Sequence, residues 1–295
     1  MGVGVRLGTT DNEKQSLSIV APCWSHIQSL TLTGSNPDYK LRDHQLSQIL
    51  EACAPLNKLR IPQSGFSMRS FFSLERHFAT LDYLDIAYCG DVPSWMSQSI
   101  LSSCPRLVYF HAPILLACDL VQGLDPEAER KRTLDFSFEN KLEEQGPQEG
   151  EPDPLVHGGH LARDLAQGRP WVCLGLKTLR VAIVETELEW HESIFKRIST
   201  LTELRMLDLG RDYGYLAIPS LDLRLKSGLG YLRSLTHLTA FYFNGTPQLM
   251  EECDLQWILD AFPNLGDITW NFHLRPKKNT KLCEFVRRHG LCRRR

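Results

Sequence analysis

Leu81-Asp82-Tyr83-Leu84-Asp85-Ile86, answered after a short amphipathic stretch by Cys104-Pro105-Arg106-Leu107-Val108-Tyr109-Phe110-His111-Ala112, decides the fold. Apolar residues stand at the first, fourth and sixth places of a template L-x-x-L-x-L, filled here by Leu81, Leu84 and Ile86 and then by Leu107, Phe110 and Ala112. Outward from this pair the template returns as Ile27-Leu30-Leu32 and Leu56-Leu59-Ile61 on one side. On the other it returns as Leu176-Leu179-Val181, Leu204-Leu207-Leu209, Leu235-Leu238-Ala240 and Leu265-Ile268-Trp270. The first anchors, at 27, 56, 81, 107, 176, 204, 235 and 265, are separated by 29, 25, 26, 69, 28, 31 and 30 residues. Only the fourth interval departs from a single period, as one repeat enlarged by an insertion would.

The segments between templates have the complementary period. Leu46, Ile49, Leu50 and Cys53, like Leu255, Ile258, Leu259 and Phe262, fall at i, i+3, i+4 and i+7, so each set makes one apolar helical stripe. Asp43 and Asp254 stand at predicted N-caps. Pro55, Pro105 and Pro263 each end a helix just ahead of the next template, where proline cannot continue a helix and biases its predecessor to extended geometry. A strand-turn-helix-turn unit of this length buries its apolar face only against its neighbours, so the units stack. The expected fold is α/β: a leucine-rich-repeat solenoid with a curved parallel sheet on the concave side and helices on the convex side. A doubly wound α/β fold also alternates strand and helix. No glycine-rich phosphate loop supports it, and Gly228-Leu229-Gly230 reads as a packing or turn feature.

Leu81 to Cys89, followed by Ile100-Leu101-Ser102-Ser103-Cys104-Pro105-Arg106-Leu107, resembles the cysteine-containing subtype of leucine-rich repeat found in F-box/leucine-rich-repeat proteins. The stretch from Arg169-Pro170-Trp171 through Leu204-Arg205-Met206-Leu207-Asp208-Leu209 also resembles F-box-like repeat proteins. The likeness covers roughly residues 24 to 123 and 169 to 274. Cys89 fills the eighth, ladder position of its repeat; Ser35, Ser64, Leu115, Val184, Asp212, Phe243 and His273 stand there in the others. The 26 residues ahead of the first template do not read as a three-helix F-box. The resemblance therefore implies the substrate-recognition part of a ubiquitin-ligase receptor, with any adaptor contact made through a segment not visible in this sequence. A stand-alone repeat interaction or inhibitor protein with no ubiquitin link is the alternative.

Composition bounds the rest. The chain has 295 residues, 42% hydrophobic and 23% charged, with a net charge of −2, so no overall field draws it to nucleic acid or membrane. No apolar run approaches the ~20 residues of a membrane span. Met1 to Ser16 lacks the order of a signal peptide, which makes Asn244-Gly245-Thr246 an unused sequon and places the chain in cytoplasm or nucleus. Nine scattered cysteines suit reduced, mostly buried thiols.

The expected organisation is an N-terminal flank over 1-23, repeats over 24-123, an acidic insertion over 124-170, repeats over 171-274, and a basic cap or tail over 275-295. The insertion has 11 acidic and 6 basic residues, a composition that buries little, and reads as a solvated loop. Residues 271 to 295 have 9 basic residues against one acidic, the one local field in the chain. This reads as a solvated end rather than a nucleic-acid site. His157-Gly158-Gly159-His160 and Cys283 with His289 and Cys292 lack the further ligands of a metal site. No nucleophile motif or tuned carboxylate pair is present, so neither catalysis nor a cofactor is expected.

Side chains alternate along a strand, which turns the residues between the apolar anchors onto the open face. The predicted lining is Lys58 and Arg60, Tyr83 and Asp85, Tyr109 and His111, Thr178 and Arg180, Met206 and Asp208, then His237, Thr239 and Phe241. Arg60, Tyr83, Asp85, Tyr109, His111, Arg180, Asp208 and His237 are the candidate protein-binding residues, because aromatic and arginine side chains dominate interface energetics. The partner expected is a protein.

Overall fold

The computed structural model describes residues 3–8, 26–33, 41–90, 92–121, 169–184, 187–210, 221–243 and 250–270, together with 284 and 288. Within them nine strands form one open, all-parallel sheet: β1 (Val3–Gly8), β2 (Ile27–Thr33), β3 (Lys58–Arg60), β4 (Tyr83–Asp85), β5 (Tyr109–Leu116), β6 (Thr178–Val184), β7 (Met206–Asp208), β8 (Ala240–Phe243) and β9 (Asp267–Trp270). Order in the sheet is order in the chain and never reverses. Parallel neighbours need a crossover between them. Here the crossovers hold helices α1 (Asp43–Ala52), α2 (Met68–Glu75), α3 (Ser94–Ser103), α4 (Ala117–Val121), α5 (Leu188–Ile198) and α6 (Glu252–Ala261), and two 3-10 turns, Leu225–Ser227 and Leu229–Ser234. None of the described helices is long and apolar enough to cross a membrane.

A single position repeated through the chain sets the register. The amide of Asn57 donates to the carbonyl of Gln28, Asp82 to Asn57, Val108 to Asp82, Lys177 to Val108, Arg205 to Lys177, Thr239 to Arg205 and Gly266 to Thr239, at 2.8–2.9 Å. Just beyond this ladder the central anchors line up as Leu30, Leu59, Leu84, Phe110, Leu179, Leu207, Phe241 and Ile268. None of these eight is more than 2% exposed, and all join one apolar cluster with the helix stripe Leu46, Ile49 and Leu50 and with Phe71, Trp95, Ile194, Phe195 and Ile258.

The strand phase expected from the template holds at seven of these strands and slips at β8. There Phe241, not Leu238, pairs with Leu207, and the template is Leu238-Phe241-Phe243. The preceding connection is longer because it contains both 3-10 turns, joined at Gly228 with φ 106°, where a Cβ would lie 3.0 Å from Glu192 Cα. Only glycine enters that left-handed geometry at low cost so close to another backbone. The sheet also starts before the first template. β1, within the stretch read as a flank, pairs in parallel with β2, Val5 opposite Leu30 and Leu7 opposite Leu32.

β5 pairs directly with β6, so among the described residues no strand stands between them in the sheet. The chain re-enters at Arg169, whose carbonyl accepts from Gln98 Nε2 (3.1 Å) while Trp171 Nε1 donates to Gln98 Oε1 (2.8 Å). Residues 124–168 of the insertion, with His157 and His160, together with Cys23, Cys283, His289, Cys292, the ladder positions Ser35, Asp212 and His273, and the basic tail apart from Glu284 and Arg288, lie outside the described residues.

Two expectations about aspartates are corrected. Asp43 is the first residue of α1 rather than its cap, and its carboxylate caps the next helix instead, accepting from the amides of Ser67, Arg69 and Ser70 at 2.9–3.0 Å. Asp254 lies inside α6, bonded to the Glu251 amide (2.8 Å) and to the Leu225 amide at the start of the first 3-10 turn (2.9 Å). Each carboxylate thus ties one helical segment to the next by polar bonds, in addition to their apolar contact. Cys53, Cys89, Cys104, Cys118 and Cys173 are buried free thiols, whereas Cys253 is exposed. Burial pushes the Cys53 thiol up to about 11 and the Cys173 thiol up to about 12, so both behave as small apolar residues.

Candidate protein-binding face

Residues on either side of the anchor row form two parallel rows across the other face of the sheet. The first runs Ser29, Lys58, Tyr83, Tyr109, Thr178, Met206, Ala240 and Asp267; the second runs Thr31, Arg60, Asp85, His111, Arg180, Asp208 and Tyr242. Seven of the eight candidate residues therefore meet on adjacent strands. His237 does not, because the β8 slip leaves it in the turn ahead of the strand; Ala240 takes its place in the first row, and Tyr242 takes the place expected for Thr239 in the second. Thr239 belongs to the ladder rather than to the rows, and Phe241 is fully buried in the core instead of lining the face.

In the first row Tyr83 and Tyr109 stack with centroids 4.2 Å apart and planes 6° from parallel, and Lys58 Nζ sits 4.4 Å from the Tyr83 ring centre. Burial, and then the Tyr109 hydroxyl beside it, raise the Tyr83 phenol well above its ordinary value, so it stays neutral. The stack is offset aromatic surface, half in contact with water, with a cation on one side.

The second row is a charge relay between strands. Arg60 Nε donates to Asp85 Oδ2 at 3.2 Å, His111 Nδ1 lies 3.3 Å from Asp85 Oδ1, and the same oxygen accepts the Ala87 amide at 3.2 Å. Arg180 Nε donates to Asp208 Oδ2 at 3.1 Å, and Asp208 Oδ1 accepts the Gly210 amide at 3.2 Å. Both aspartates are buried, with 4% and 8% exposure, whereas the side chains of their arginines remain 47% and 37% exposed. Aspartate is short, so its carboxylate folds back onto the amide two residues on, and arginine is long enough to lie across it from the next strand. Asp85 and Asp208 are therefore positioning residues under the arginines rather than free contacts on the surface.

Their titration differs. Burial pushes the Asp85 carboxyl up, but the His111 ring, the Ala87 amide and Arg60 together outweigh it and hold the carboxyl below its ordinary value. For Asp208 burial outweighs Arg180 and the Gly210 amide, and the carboxyl rises. Farther along, Tyr242 Oη donates to Asp267 Oδ2 at 2.8 Å, and burial with this bond pushes the phenol up to about 12.

Asp85 at Nδ1 is the partner that orients a catalytic imidazole, but such a dyad works only with a nucleophile facing the other ring nitrogen. The positions next to His111 in the rows are Tyr109, Thr178 and Arg180, and its ring meets the edge of Tyr88 at 6.3 Å. Tyr88, 56% exposed at φ 60°, was not among the residues singled out by the template because it lies past the strand, where L-x-x-L-x-L says nothing.

The chain matches no protein-family model and no curated protein.

Proposed function

We propose that this chain is a leucine-rich-repeat solenoid whose open, concave sheet face captures a protein, as the substrate-recognition part of an F-box/leucine-rich-repeat ubiquitin-ligase receptor does. Support for the architecture comes from the sequential strand order and from seven successive ladder bonds at one repeat position. A doubly wound sheet would reverse its order at a switch point. Support for the Cys-type repeat comes from Cys89, whose Sγ lies 3.3 Å from Ser64 Oγ and 3.4 Å from the Ile61 carbonyl, linking the ladder positions of adjacent repeats.

The observation that carries the binding function is the layering of the face: partly exposed guanidinium groups and a half-buried stacked tyrosine pair above buried carboxylates. Preorganised arginine and tyrosine lose little freedom on binding and are the side chains that dominate interfaces. The protein acts in cytoplasm or nucleus, and its link to ubiquitin rests on the resemblance of residues 81 to 107 and 169 to 209. Affinity capture with the wild-type chain and with Arg60→Gln/Tyr83→Ala/Tyr109→Ala/Arg180→Gln tests the reading. Glutamine leaves a donor for each aspartate. The variant is expected to stay folded by circular dichroism and to lose the proteins that wild type retains. Equal recovery by both would refute the assignment, and ligase adaptors among the retained proteins decide the ubiquitin link.

A further inference from the structure

The layering of the face also specifies what kind of segment it takes. On β3 to β6 the second row reads Arg60, Asp85, His111, Arg180. The carboxylate lies at the bottom, and each arginine engages its aspartate through Nε; the Arg180 side chain is also hydrogen-bonded to Tyr109, which ties it to the tyrosine stack. Lys58 adds a third cation above the Tyr83 ring. The surface presented outward is thus cationic at both ends, although each arginine lies over a buried acid, Asp85 on β4 and Asp208 on β7. Between the ends lie the Asp85–His111 pair, the Tyr83/Tyr109 stack on one side and Tyr88 on the other.

We propose that this strip binds an extended acidic segment of a partner protein, with carboxylates four residues apart, one on Arg60 and one on Arg180, and a bulky apolar or aromatic side chain between them. The proposal rests on the reading of the face as protein-binding and deepens it. Three strand spacings of about 4.8 Å separate Arg60 from Arg180 by about 14 Å, and four residues of extended chain at about 3.4 Å each cover nearly the same span. In an extended chain residues i, i+2 and i+4 face one side, so the middle side chain meets the tyrosines while both carboxylates meet guanidinium groups. Arginine takes a carboxylate through two parallel bonds, which fixes direction as well as affinity. A helical segment would place the same carboxylates only about 6 Å apart and reach one arginine.

The test uses the full chain and fluorescence anisotropy with capped, labelled nine-residue peptides. One contains Glu-Val-Tyr-Val-Glu, the second has both glutamates replaced by glutamine, and the third has the two glutamates adjacent. The first is expected to bind at least about tenfold more tightly than the other two, and to weaken about tenfold with Arg60→Gln or Arg180→Gln and with rising salt. Glu189→Gln on α5 is expected to leave it unchanged. Equal binding of the three peptides, or no effect of the arginine changes in variants that melt as wild type does, overturns the proposal. So does tighter binding of a single-stranded oligonucleotide to the same residues. If the peptides fail while the fourfold variant still loses captured proteins, the acidic segment is wrong and the protein-binding reading stands. If captured proteins are also retained by the fourfold variant, both fall.

Discussion

Two stretches of the sheet contain the same device. In the first, Arg60 on β3 reaches Asp85 on β4; in the second, Arg180 on β6 reaches Asp208 on β7; each aspartate also accepts the amide two residues farther on. The geometries agree to 0.1 Å in the Nε–Oδ2 distance, at 3.2 and 3.1 Å. They differ in one neighbour. Asp85 has His111 on its other side, and Asp208 has Tyr242 there in register. The carboxyl of Asp85 is held below its ordinary value, whereas burial raises that of Asp208. The difference teaches that one arginine, half in water, does not offset the desolvation of an aspartate in this sheet, and that a second polar neighbour decides the sign.

The largest effects should be the same in both stretches, because the anchors beneath them are equally buried. Leu84→Ala and Leu207→Ala are each expected to cost about 2–5 kcal/mol in denaturant unfolding. A cost confined to one of them would break the equivalence of the units. Next come the carboxylates. Asp85→Asn should cost about 1–3 kcal/mol, since it strands His111, Arg60 and the Ala87 amide, and Asp208→Asn should cost less than about 1 kcal/mol.

Acid sharpens the contrast. Stability from Asp85 is fully present above the ordinary carboxylate value and is lost as pH falls through its depressed folded value. Asp208 works in the opposite direction: between its raised folded value and the ordinary one, the unfolded chain releases the proton and the folded chain keeps it, so stability rises as pH falls. Unfolding free energy measured from about pH 6 to about pH 3 should therefore decline less steeply in Asp85→Asn than in wild type, and more steeply in Asp208→Asn. The smallest effect concerns Gln63 and Tyr88, at φ 59° and 60° at matching points after β3 and β4. Gln63→Gly should change stability by only about 0.5 kcal/mol, because glycine enters the left-handed region without strain.

The contrast between the stretches also marks what could be read from the sequence. Anchors such as Leu59, Leu84 and Leu207 were legible because burial imposes a period that no other constraint disturbs. At β8 the period is ambiguous: Leu235, Leu238, Phe241 and Phe243 satisfy two phases three residues apart, and the choice depends on how many residues the 3-10 turns consume. Facing direction was legible for Arg60, Tyr83, Tyr109 and Arg180. Depth was not. Alternation places Asp85 and Arg60 on the same side of the sheet but says nothing of the fact that a short carboxylate lies under a long guanidinium. The signal was an arginine in one template followed by an aspartate at the same place in the next, at 60 and 85 and again at 180 and 208, which is a cross-strand ion pair. Asp43 and Asp254 marked the first turns of their helices in the sequence but are not the caps expected, because their bonding to a neighbouring unit is tertiary and leaves no local mark.

The central claim, that the partner lies on the open face between the two arginine pairs, is tested most directly by site-specific photo-crosslinking. A p-benzoylphenylalanine at Tyr109, in the tyrosine stack, is compared with one at Tyr231, which is 42% exposed and packs beside α5 at the Glu192 and Lys196 side chains. Irradiation of cells should give a crosslinked adduct from position 109 that disappears with Arg60→Gln/Arg180→Gln, and none from position 231. An adduct from position 231 with none from 109 would place the partner on the helices and contradict the account.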